Sequence, residues 1–167
     1  WSILDYLGRI MFFSIFFIGM SNVIFDNSFN YYLKDVLQMP PSMNGILKAI
    51  IGVFTLISNL TLTFYLIRKT KISRSMLIIL MLVVLWLSLI LLGQDLWVFI
   101  GISLLILASF SIIGPLQQQT VSMMSNEQES IHHLMGLFNA TKALGGILGA
   151  LSAGFIYEYF VFGPFVL

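Results

Sequence analysis

The segment Ile67–Arg74 reads IRKTKISR and carries four of the chain's eight basic residues, Arg68, Lys69, Lys71 and Arg74. It separates two long apolar runs. Lys48 is the one charge between Met43 and Ile67, and no charge occurs from Ser75 to Gln94. A basic hinge between two hydrophobic segments of spanning length marks a cytoplasmic loop, because lysine and arginine accumulate on that side of a membrane. Loop 68–74 then orients every other segment.

The rest of the chain has the same character: 59% hydrophobic, 9% charged, mean hydropathy +0.99. Soluble domains carry about a quarter charged residues. Here too few polar side chains remain to cover a core against water, so the lipid bilayer is the expected solvent and partner. A net charge of +1, with no basic patch interleaved with aromatics, argues against nucleic acid. The absence of cysteine excludes disulfides, thiol catalysis and thiolate metal sites. The sequence opens on Trp1 with no charged leader, and reads as an excerpt from a longer protein.

Five spans are expected, at about residues 10–33, 43–67, 75–92, 96–124 and 134–159, each near the roughly 20 residues that cross a bilayer. They are helices, since strand alternation is absent and an open sheet could not satisfy its backbone in lipid. The expected fold is therefore an all-α polytopic membrane protein without a soluble domain. With loop 68–74 inside, Trp1–Arg9 and Ser125–His133 are also inside, and Lys34–Ser42, Gly93–Asp95 and the segment from Phe160 are outside. Trp97, Tyr31, Tyr32, Tyr157 and Tyr159 then fall near the outer boundary as an aromatic belt. Pro40-Pro41 separates the first two helices. Asn126 and Glu129 have capping-box spacing ahead of the fifth span.

Polar residues inside spans are expensive and face a bundle interior or a water-filled cavity. Asn22, Asp26 and Asn30 recur at steps of four, on one helical face. Asn44, Lys48, Gly52, Thr55 and Asn59 form a second face. Asp26 and Lys48 each lie roughly 10–12 Å below the outer end at 1.5 Å per residue, so they are expected to pair or to share a polar cavity. The third span has only Ser75 and Ser88 as polar side chains and reads as lipid-facing. The fourth breaks at Gly114-Pro115 before Gln117, Gln118 and Gln119; one face pointing inward selects Ser111, Gln118 and Ser122. In the fifth, Gly145, Gly149 and Ala153 form one small-residue ridge, and Gly146, Ala150 and Gly154 the next; both suit close helix packing. Asn139 and Lys142 precede them in the inner half of the membrane. His132 and His133, near Glu127 and Glu129, are adjacent and point about 100° apart, so no metal site is expected.

Several of these stretches together resemble the C-terminal half of a major facilitator superfamily transporter, close to the bacterial twelve-helix multidrug exporters. They are YLKDVL with MPPS and Asn44-Gly45, the loop RKTKISR, GPLQQQ, and GLFNATKALGGILGALSAGF followed by Gly163-Pro164-Phe165. The resemblance implies that the five spans are the seventh to eleventh helices of a six-helix bundle. Val166-Leu167 would begin a last helix that is otherwise missing, and the N-terminal six-helix half would be a missing partner. It also implies alternating access around a midplane site. Asn22, Asp26, Asn30, Lys48, Thr55, Gln118, Asn139 and Lys142 are the expected substrate or proton-pathway residues, and aromatics such as Phe25 the apolar walls. Asp26 would be the proton-responsive carboxylate.

The chain departs from the family where Phe64-Tyr65-Leu66-Ile67 stand in place of an acid ahead of the loop, and where the glycine ridge lacks a Gly-Pro step. The expected function is secondary active transport, as proton-coupled export of small lipophilic or amphipathic compounds across the plasma membrane. No cofactor and no enzymatic activity are expected. The alternatives are an importer of a polar or anionic solute, a non-transporting membrane scaffold, and a membrane enzyme using His132, His133 and Glu129.

Overall fold

The computed structural model describes residues 3–92, 96–124 and 128–159. All regular structure among them is helical. The elements are α1 (Ile3–Asp35), α2 (Pro41–Ser58), a π-helical turn (Asn59–Thr63), α3 (Phe64–Lys69), α4 (Ile72–Leu92), α5 (Leu96–Met123) and α6 (Gln128–Tyr159). Five continuous segments are long and apolar enough to cross a membrane: Gly8–Asp35, Pro41–Lys69, Ile72–Ile90, Leu96–Met123 and Ile131–Tyr159.

The residue pattern is turned outward. Phe13, Ile46, Leu60, Met81, Trp97 and Phe155 are all more than half exposed. Along α2 the inward stripe is instead Asn44, Lys48, Ile51, Thr55 and Ser58, while Gly52 is exposed. In water this would be an aggregate; in hydrocarbon it is the stable arrangement, because lipid tails accept apolar side chains and the polar ones seek partners inside. On α4, Ser75, Ile79, Val83 and Ile90 form a single buried stripe, and apart from Ser73 and Arg74 in the first turn and Ser88 the exposed surface is apolar.

The ends are set by local chemistry. After α1 the amides of Val36 and Leu37 donate to the Tyr32 carbonyl and that of Met39 to Leu33. Gln38 stands just beyond in the left-handed region at φ 48°, a conformation common where a chain turns away from a helix end. Pro41 starts α2 in the first-turn position that proline tolerates. The basic loop is shorter than expected: α3 runs through Lys69 and α4 starts at Ile72, leaving only Thr70 and Lys71 between them. Thr70 closes α3 with its amide and its hydroxyl both donating to the Leu66 carbonyl, at 3.1 and 2.7 Å. The segment expected as an inner loop before the fifth span is helical from Gln128, so His132 and His133 are exposed positions on α6. The Asn126–Glu129 capping box, the Gly93–Asp95 turn and the segment from Phe160 lie outside the described residues.

The chain divides into two compact units. The first holds α1 as far as Ser28, α5 from Gln117, and α6; the second holds Phe29–Leu116. The core of the first is built on Ile15, Val121 and Phe138, flanked by Met11, Phe12, Leu134 and Met135. In the second, the Phe99 ring lies 5.9 Å from that of Phe29 in a stacked pair and 4.4 Å from that of Tyr32.

Candidate functional site

In the first unit, α6 lies against α1 through glycines. A Cβ at Gly149 would stand 2.6 Å from the Met20 carbonyl oxygen, and one at Gly145 would fall on the Phe16 carbonyl. Ala153, the third member of that ridge, is fully buried. Gly19 returns the contact from α1, with its missing Cβ 3.0 Å from the Lys142 carbonyl oxygen. Where glycine hydrogens face carbonyls this closely, packing and weak Cα–H···O bonds hold helices together without a hydrophobic drive. The second ridge is looser: Gly146 meets the Val23 side chain at 3.4 Å, and Gly154 meets nothing within 4 Å among the described residues.

The same unit contains a cavity of about 660 Å³. Phe12, Phe13 and Phe16 of α1, Val121 and Met124 at the end of α5, and Leu134 of α6 wall it, with Gly8 beside them. Arg9 and Thr141 are its polar contributors. Arg9 itself is exposed. Sequence reasoning did not find this cavity, although the repeated phenylalanines of Phe12-Phe13 and Phe16-Phe17 were its visible signal. Phe25, expected as an apolar wall, is instead buried at 3% exposure and does not line it.

The eight polar residues singled out from the sequence fall in both units, and none lines the cavity. In the first unit Asn22 and Asp26 are half-buried on α1, whereas Gln118, Asn139 and Lys142 are exposed. The buried glutamine of α5 is its neighbour Gln117, whose Nε2 has no hydrogen-bond partner among the described residues. In the second unit Asn30, Lys48 and Thr55 are half-buried. The Lys48 ammonium sits 5.9 Å above the centroid of the Phe29 ring, a cation–π distance. The Thr55 hydroxyl donates to the Gly52 carbonyl at 3.0 Å, which satisfies it locally.

The π turn adds polar atoms that the sequence did not reveal as a site. The Thr63 hydroxyl donates to Asn59 Oδ1 at 2.8 Å, and the Thr61 hydroxyl donates to the Ile57 carbonyl at 2.7 Å. Ser58 and Thr63 are buried. Such a turn widens a helix locally and recurs at functional positions. In α5, Pro115 lies inside the helix and has no amide to donate to Ser111. Among the described residues no group of histidine and carboxylate side chains is arranged to hold a metal ion.

Neither the curated proteins nor the solved structures contain a match to the chain. The model of the MFS_1 like family does match, over residues 3–165, nearly the whole length. With five apolar spanning helices and this match, the chain is a multi-pass membrane protein that belongs to the MFS_1 like family, within the major facilitator superfamily of transporters.

Proposed function

We propose that the protein is a secondary active transporter that exports small lipophilic or amphipathic compounds across the plasma membrane, coupled to protons. The observation that carries this reading is the aromatic cavity of the first unit. Its volume of about 660 Å³ lies within the range of small-molecule sites, and such sites are mostly apolar with a few placed polar groups. Three phenylalanines with Val121, Met124 and Leu134 offer dispersion and burial to a lipophilic body, and Thr141 and Arg9 can orient a polar end. The positive-inside rule puts Arg9 and the Thr70–Lys71 turn on the cytoplasmic side. A cavity at that end takes its load from the cytoplasm or the inner leaflet, which favours export.

For coupling we assign Asp26, the one acidic residue placed well inside a span. A carboxylate there is costly unless it is neutralised or partnered, so alternate protonation is a natural coupling step. Lys48 and Lys142 are the residues that favour a second reading, the import of a polar anion. In either case alternating access calls for a second helical bundle facing this one.

The test is dye accumulation in everted membrane vesicles on energisation. The proposal expects uptake of a fluorescent lipophilic cation that disappears when the pH gradient is collapsed and in Asp26→Asn. Uptake that survives both changes removes proton coupling and Asp26 together. An absence of uptake, with the protein inserted, favours the anion importer.

A further inference from the structure

The turn joining α3 and α4 carries more charge than orientation needs, and no counter-charge lies near it in sequence. Arg68, Lys69, Lys71 and Arg74 are all exposed, and none makes an ion pair among the described residues. No aspartate or glutamate occurs between Asp35 and Asp95, so neither helix entering the turn can supply one. Arg68 does have an intramolecular contact, but with an aromatic ring: its guanidinium carbon lies 4.1 Å from the centroid of Phe64. Phe64 and Tyr65 are exposed apolar positions on a helix whose outward surface belongs to lipid. Arg68 is thus drawn toward the lipid-facing side at the very end of the span.

The turn is also well fixed. Thr70 is tied to Leu66, the amides of Arg74 and Ser75 donate to the Lys71 carbonyl at 2.9 and 3.1 Å, and the hydroxyls of Thr70 and Ser75 are bonded to each other. Two residues cannot lift the cations away from the membrane surface. They are held at headgroup level, within a screening length of a charged leaflet. The first amides of the 21-residue α4 point into the same turn and add the positive end of a helix dipole.

We infer that the Arg68–Arg74 turn is a binding site for the phosphate headgroup of an anionic phospholipid of the adjacent leaflet, with its acyl chains along the exposed face of Phe64 and Tyr65. Arg68 offers a planar fork to phosphate oxygens while its ring contact preorganises it; Lys69, Lys71 and Arg74 supply point charge around it. The membrane side of this leaflet rests on the orientation proposed above, whereas the headgroup site itself does not.

The test uses the whole protein, purified into nanodiscs of equal phosphatidylglycerol and phosphatidylcholine, with retained lipids counted by native mass spectrometry. Phosphatidylglycerol is expected to be enriched in the parent. Each cation removed, in Arg68→Gln or Lys69→Gln/Lys71→Gln, lowers the enrichment about fivefold, the factor equivalent to about 1 kcal/mol per basic residue at a charged surface. Arg68→Lys keeps the charge but loses part of the enrichment. Equal retention of both lipids, enrichment unchanged in the variants, or displacement by millimolar inorganic phosphate overturns the site. A Ser73→Cys reporter, in a protein whose cysteines outside this chain are replaced by serine, reads orientation with an impermeant maleimide. Labelling from outside the cell refutes the orientation, and the lipid counts still decide the site.

Discussion

At Gly149 a single methyl group would lie 2.6 Å from the Met20 carbonyl oxygen, a backbone atom that cannot swing aside. Gly145 is tighter still against Phe16. Substitution there has to separate α6 from α1. Gly145→Ala and Gly149→Ala are therefore expected to destabilise the protein by about 1–3 kcal/mol each, the range for overpacking. Gly154→Ala, with open space around it, should leave stability unchanged. Thermal unfolding in detergent, followed by intrinsic fluorescence, checks all three; equal midpoints would remove the close approach. The ridge of Gly145 and Gly149 was legible because steps of four put small residues on one line of a helix. Gly19 was not, since a lone glycine in a span has no periodicity and its need for space comes from the Lys142 backbone of another helix. At Gln118 helical phase selects a face but does not say which face packs within the bundle: the structure buries Gln117 and leaves Gln118 exposed.

Among the elements, the second span is where sequence and structure differ most. Its length and polarity were readable, yet it is α2, a π turn and α3 rather than one regular helix. A π turn inserts part of a residue's worth of rotation and leaves no mark in an apolar composition. Its support is the hydrogen bond from Thr63 to Asn59. Thr63→Val keeps shape and burial but removes the donor, leaving Asn59 Oδ1 without it; a loss of about 1 kcal/mol is expected. Double electron–electron resonance between spin labels on α2 and α3 should show a changed separation if the turn reverts to regular helix. An unchanged unfolding midpoint and unchanged distances would mean the backbone holds the turn by itself. The basic loop was legible in charge but not in extent. The helices on either side continue almost to each other because Thr70 and Ser75 cap the break with their own hydroxyls.

For the molecule as a whole, the fold class was readable because lipid inverts the usual burial rule: every long segment had to be an apolar helix, and those helices are present in the structure. The cavity was not readable. It is made from the ends of three helices far apart in sequence, and only packing reveals that Phe12, Val121 and Leu134 meet around one space. That cavity is the central claim about function, and Phe13 allows a direct test, since it lines the space yet is 66% exposed and carries little of the fold. The measurement is the apparent KM for a lipophilic fluorescent cation in energised everted vesicles, comparing the parent with Phe13→Ala and with Trp97→Ala, an exposed aromatic of the other unit. Losing one buried ring contact is worth about 1.5–3 kcal/mol, so Phe13→Ala should raise KM by roughly tenfold or more with the maximal rate retained, and Trp97→Ala should not. An unchanged KM in Phe13→Ala, or an equal rise in both variants, would contradict the assignment of the cavity as the substrate site.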